Sequence, residues 1–158
     1  MAIAMDWGPA VNGLRMSLAI EEKTVVMTFE NMREDREMYL PLGRIVGIRH
    51  PEFAHLGLTL KDGTHRQLQH VGGEGVAPGR LLPYIVPMMP GSVYTVRTLL
   101  QDWRVGSNLD RIEKDLSRGA TLQASVVASE SLHWEYVNCY GLQIFWSGRA
   151  VSNIIHSR

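Results

Sequence analysis

The sequence predicts an all-β protein: an antiparallel two-sheet sandwich of seven to nine short strands with one short helical connection. Two observations carry that expectation. Apolar residues repeat at every second position along much of the chain, beginning with Leu14, Met16, Leu18 and Ile20, which is the period of a half-buried strand. Turn chemistry punctuates these runs, most plainly where Leu56, Leu58 and Leu60 give way to Asp62-Gly63 and a second run over 64–71. Alternating runs around Asp-Gly are the strongest short-range hairpin signal. Short strands separated by turns, with little helix between them, favour stacked antiparallel layers.

Each element follows in order. The first strand emerges from a turn-rich stretch containing Pro9 and Asn12-Gly13. Glu21-Glu22-Lys23 makes a charged turn, and Thr24-Val25-Val26-Met27-Thr28-Phe29 resumes with Val25, Met27 and Phe29 on one face. Beyond a polar connection at 31–36, Met38-Tyr39-Leu40 is a short apolar piece expected to stop at Pro41, which lacks the N–H a ladder needs. Ile45-Val46-Gly47-Ile48 reads as a further short strand.

After the hairpin, residues 72–91 read as a long irregular connection rich in Gly and Pro, with Tyr84-Ile85-Val86 pinned inside it. Residues 92–99 are another strand. The one convincing helix spans Ser107 to Gly119: Ser107 caps it, Leu109, Ile112 and Leu116 fall at helical spacing, and Gly119 ends it. Strands follow at 121–128, 142–146 and 148–156. No internal repeat, low-complexity tract or linker interrupts the chain, so residues 1–158 are expected to form one domain, large enough to bury roughly 70% of its unfolded surface.

Composition narrows the classes. Sixteen Lys and Arg cancel sixteen Asp and Glu, with pI near 7.0. The basic excess of a protein that neutralises phosphates is missing, so no nucleic-acid partner is expected. Neutrality also leaves two copies without mutual repulsion. A single cysteine, Cys139, allows neither an intrachain disulfide nor a Cys-based zinc site. No run approaches ~18 apolar residues, so no membrane span is expected. Met1-Ala2-Ile3-Ala4-Met5-Asp6 carries neither the basic nor the apolar region of a signal peptide.

Three stretches together are similar to a known family. Trp7-Gly8-x-x-Val11-Asn12-Gly13-Leu14 resembles the first strand of immunoglobulin-like β-sandwich domains in many uncharacterised, often exported, bacterial proteins. Pro90-Gly91-Ser92-x-Tyr94 through Leu100-x-Asp102-Trp103 is similar to their middle segment, and Trp146-Ser147-Gly148-x-x-x-Ser152-Asn153 to their last hairpin. The resemblance implies an immunoglobulin-like fold and an extracytoplasmic location. It brings no catalytic residues and no cofactor.

Candidate chemistry is sparse. The pairs His50/His55 and His65/His70 are each five residues apart, which puts partners on opposite faces of a strand; they read as surface histidines, and no metal site is expected. Gly72-Gly73-Glu74-Gly75 lacks the Lys and Ser/Thr of a phosphate-binding loop. No Gly-x-Ser-x-Gly elbow accompanies the serines and histidines. Asp110, Glu113 and Asp115 alternate with Arg111, Lys114 and Arg118 as on a solvated helical face. Cys139 reads as a small buried hydrophobe.

Two sets of residues remain as binding candidates. Trp134, Tyr136 and Tyr140 sit in an aromatic cluster between the last strands, where a tip loop would present them to a glycan or small ligand; the same alternation fits inward members of a longer strand. Met88 and Met89, flanked by Pro87 and Pro90, are predicted to contact a protein neighbour. The sequence therefore predicts a non-catalytic interaction module, without cofactor, for protein association or self-assembly through open sheet edges. The alternative is ligand binding through the aromatic loop.

Overall fold

In the computed structural model, residues 4–46, 50–71, 82–104, 112–129 and 145–156 are described. Asn12 and Gly13 both take positive φ, +49° and +83°, and Val11 and Leu14 exchange both backbone hydrogen bonds across them at 2.8 and 3.0 Å. Paired positive φ is what a two-residue hairpin turn of the right twist requires, and Asn-Gly supplies it cheaply. The turn lays residues 8–11 back along β1 (Leu14–Glu21), where the Gly8 N–H donates to the Met16 carbonyl at 2.9 Å.

β1 pairs with β2 (Thr24–Asn31) through a tight turn, and β2 pairs on its other side with β8 (Val93–Leu99). A second sheet has the order β11-β10-β5-β6-β9, with β5 (Leu56–Lys61), β6 (His65–His70), β9 (Trp103–Arg104), β10 (Thr121–Ala128) and β11 (Gly148–His156). A third, β4-β3-β7, is built from β3 (Met38–Val46), β4 (His50–Glu52) and β7 (Leu82–Met88). All pairings between these strands are antiparallel. The chain is all-β, as its alternation predicts. One hydrophobic core joins the sheets: Leu14, Met16 and Leu18 of β1, Val25, Met27 and Phe29 of β2, and Leu56, Leu58 and Leu60 of β5 all turn into it.

β1 and β11 lie side by side without a continuous ladder, and side chains close the gap. Between Gln123 and Ser125 the β10–β11 register slips by one residue, so Ser152 and Asn153 together oppose Ala124. The Ser152 hydroxyl accepts from the Ala124 N–H at 2.9 Å and donates to the Asn153 carbonyl. The bulge turns the Asn153 carboxamide onto β1, where its Oδ1 accepts from the Leu18 N–H at 2.7 Å and its Nδ2 donates to the Leu18 carbonyl at 3.1 Å. One side chain thus replaces a strand neighbour. Gly8 fits in the same gap because it has no side chain: a Cβ there would lie 1.9 Å from the Val151 carbonyl oxygen.

The segment after β8 turns through a 3-10 turn over Leu100–Asp102 into β9. Buried Trp103 donates from Nε1 to the Thr98 hydroxyl at 2.8 Å. Its ring meets the edge of His70, which also meets Phe53, with centroids 5.2 and 5.1 Å apart. Burial holds the His70 pKa below its ordinary value, against the opposing pull of Asp102, and its Nδ1 has no hydrogen-bond partner among the described residues. His70 is therefore half-buried between two rings, and the expectation of a surface histidine is corrected.

Other expectations shift in detail. Pro41 does not stop its strand: β3 runs on to Val46, and the register slips between Pro41 and Gly43, which is how a sheet accommodates a missing donor. Ile45 and Val46 consequently end β3 and do not open a strand of their own. The pinned segment at 84–86 is part of a full strand, β7, despite Pro83 and Pro87. β4 and β9, of three and two residues, are too short to leave a periodic trace. The helix α1 spans Ile112–Ser117, with Gly119 at φ +90° behind it; Ser107 and Leu109 lie outside the described residues. Of the expected strand at 142–146, Phe145 makes a single parallel bridge to Tyr39, and 142–144 lie outside the described residues.

Two outcomes test this account. Asn153→Leu keeps the volume and strips both bonds from the Leu18 backbone, and is expected to cost about 2–4 kcal/mol in urea unfolding. The fold prefers neutral His70, so the stability this contributes is present above about pH 6.5 and declines as pH falls below it. Thermal melts between about pH 7 and 5 should fall less steeply for His70→Phe than for the wild type.

Candidate interaction surface

Hydrogen-bond direction in the β1-β2-β8 sheet can be read residue by residue. The Asn31 N–H donates to the Ser92 carbonyl at 3.1 Å, and the Gly91 N–H donates to the Asn31 carbonyl at 2.9 Å. Asn31 thus points its backbone groups toward β8, and so do Phe29, Met27 and Val25 two, four and six positions earlier. Their partners Tyr94, Val96 and Thr98 are satisfied by β2. Val93, Thr95, Arg97 and Leu99 must then aim their N–H and C=O groups the other way.

No described residue pairs with that side of β8. The opposite margin of the same sheet contrasts with it. On β1 the outward-pointing residues are Leu14, Met16, Leu18 and Ile20; Val11 pairs with the first, Gly8 with the carbonyl of the second, and the Asn153 side chain with both groups of the third. Among the described residues one margin is covered from Leu14 to Leu18 and the other is open.

The side chains of the same four β8 residues also face out. Val93 is 54% and Leu99 48% exposed, while Val96 and Thr98 turn inward and are buried. Arg97 reaches across the sheet to Glu21, with Nη1 2.7 Å from its carboxylate, and Arg15 and Glu30 make a second ion pair on the same face. The edge thus presents apolar residues at its ends and a neutralised charge in its middle. The Tyr84 and Tyr94 hydroxyls are hydrogen-bonded beneath it, and burial raises the Tyr84 pKa, with the bond to Tyr94 adding to it.

Of the other edges, β11 lies against β1 and the rest are blunted. β7 carries Pro83 and Pro87, and β4 and β9 have three and two residues. Short strands and prolines are how sheets avoid unwanted pairing. β8 has seven residues, no proline and no bulge.

The predicted partner-binding pair divides. Met88 is 1% exposed, packed in the core opposite Met38, whereas Met89 is 58% exposed. Strand parity is the reason: β7 extends through Met88, which falls on its inward face, so the expectation that Met88 contacts a neighbour is corrected. Met89 begins the turn into β8, close to a shallow hollow of about 400 Å³ bounded by residues 30–34 and Pro90-Gly91. Met32, on its wall, is also exposed. Buried Asn31 shapes this corner by donating to the Met88 and Arg36 carbonyls and accepting from the Arg33 N–H. Trp134, Tyr136, Tyr140 and Cys139 lie outside the described residues, as do residues 72–81.

A second hollow of about 390 Å³ lies between the β5–β6 hairpin and α1. Its two carboxylates are already matched: Arg66 donates to Asp62 and, at 2.6 Å, to Asp115. The Thr64 hydroxyl, more than Arg66, holds the Asp62 pKa below its ordinary value. Asp115 is therefore a tether between helix and hairpin and not part of a solvated face. Among the described residues no group of three or more His, Cys, Asp or Glu is placed to hold a metal ion, and no described helix is long and apolar enough to cross a membrane.

Comparison with protein-family models, curated proteins and solved structures returned no match. In dilute solution, amide exchange should alternate along β8, with Tyr94, Val96 and Thr98 slower than Val93, Thr95, Arg97 and Leu99 by at least about tenfold. Uniform protection along the strand in NMR exchange would contradict the open edge.

Proposed function

We propose that this chain is a non-catalytic association module, an immunoglobulin-like sandwich that takes up an extended partner strand along β8. The observation that carries this reading is the row of backbone groups at Val93, Thr95, Arg97 and Leu99, which no described residue pairs. Strand addition draws affinity from main-chain hydrogen bonds and selectivity from alternate side chains. β8 supplies both, because its outward backbone and its outward side chains belong to the same four residues. Met89 and Met32 flank the start of the strand and add adaptable apolar surface.

Thr95 is the position at which to test it. Its N–H points away from β2, so Thr95→Pro removes an outward donor and leaves the β2 ladder intact. A fluorescein-labelled peptide of alternating Thr and Val, with a lysine at each end, is expected to bind the wild type and to lose about tenfold or more in affinity to Thr95→Pro by anisotropy. Equal binding to both proteins would rule out β8 as the docking edge.

A further inference from the structure

Resting on that reading, we propose that the partner strand is β8 of a second copy, paired antiparallel about a two-fold axis. Self-pairing requires outward residues to face outward residues, which leaves few registers. If Arg97 faced Arg97 of the other copy, two like charges would stand opposite one another, which destabilises a sheet. If Thr95 faced Thr95, Leu99 would be left without an opposite number. The register with Val93 opposite Leu99 and Thr95 opposite Arg97, and Val96 on the axis, avoids both faults, and shorter overlaps engage fewer of the four residues.

That register engages all four outward residues of each strand. It sets the two exposed apolar side chains, Val93 and Leu99, against each other across the axis. The one charged residue of β8, Arg97, faces a threonine and remains neutralised by Glu21 of its own chain. The strand is thus complementary to itself in hydrogen bonding, apolar contact and charge. Overall neutrality, sixteen basic against sixteen acidic residues, adds no long-range repulsion.

A two-fold interface also closes the assembly. The pairing yields a six-stranded sheet running β1-β2-β8 and then β8-β2-β1 of the second copy. Both of its outer margins are β1, already covered by Gly8, Val11 and Asn153 from Leu14 to Leu18. Growth stops at two.

Sedimentation velocity on the full chain is expected to reveal a concentration-dependent monomer–dimer equilibrium. Thr95→Pro and Thr95→Lys should each weaken it by about tenfold or more, the latter by placing a cation opposite Arg97. Thr95→Glu, facing the same Arg97, should strengthen it. The lysine and glutamate variants keep the backbone N–H and an exposed side chain, so they decide the matter if thermal melts find the proline variant unfolded. In the dimer the amides of Val93, Thr95, Arg97 and Leu99 should gain protection. A chain that stays monomeric at its highest soluble concentration, or a dimer indifferent to all three variants, overturns the proposal. Where the Thr-Val peptide still binds in a Thr95-dependent way, only self-pairing falls; where it does not, strand addition falls with it.

Discussion

The seam between β1 and β11 is the constraint on which the rest of the architecture depends. Two sheets meet there without the regular ladder that would normally join neighbouring strands, so each backbone group along β1 needs a local substitute. The substitutes come from the two ends of the sequence. Val11 and Gly8 belong to the opening stretch, and Asn153 to the last strand. Trp146 donates from Nε1 to the Val11 carbonyl at 3.0 Å, and the Asn12 carboxamide to the Ser147 carbonyl at 2.8 Å. The two terminal motifs are thus halves of one joint. Gly8 and the Ser152-Asn153 bulge are needed there for opposite reasons, one for lacking a side chain and the other for carrying a short amide that imitates a peptide group.

Closing one margin of the β1-β2-β8 sheet defines the other. With β1 occupied from Leu14 to Leu18, β8 is the strand of that sheet whose backbone faces outward along its whole length among the described residues, and the positions that do so follow from a single pair of bonds at Asn31. That residue has two tasks. Its backbone sets the phase of the β2–β8 ladder, and its buried carboxamide ties the ends of β7 and the 32–36 loop to the same corner. The hollow beside Met32 and Met89 is a consequence of that knot.

Much of this was legible in the residues and some was not. Alternation identifies β1, β2, β5 and β10, because each places a period-two apolar face on one core; β6, β8 and β11 bury one apolar side chain each and are marked instead by the turns beside them. It misjudged β3 at Pro41, since a proline followed by a register slip costs a strand less than a proline in mid-ladder. It read 82–88 as irregular for the same reason. The open edge was beyond its reach: periodicity tells which face a side chain takes but says nothing of which strand lies alongside. A faint signal was present nonetheless. Val93 and Leu99 sit on the polar parity of their strand, where β6, with His65, Gln67 and Gln69, keeps hydrophilic residues. Met88 and Met89 were misread as a pair because a strand ends between them.

Backbone bonds alone would not make such an edge a strong docking site. Each exchanges a bond to water for one to protein and gains only about 1 kcal/mol, while association costs several times that in lost freedom of motion. What decides the balance is the apolar surface that accompanies the ladder. On β8 that surface is modest: Val93 and Leu99 on the strand, with Met89 beside it. An edge of this kind suits reversible pairing whose extent follows concentration. It also explains why the neighbouring charges are already spent on one another. Arg97 held by Glu21 and Arg15 held by Glu30 present no unpaired charge that an arriving strand would have to desolvate, so the small apolar gain is left intact.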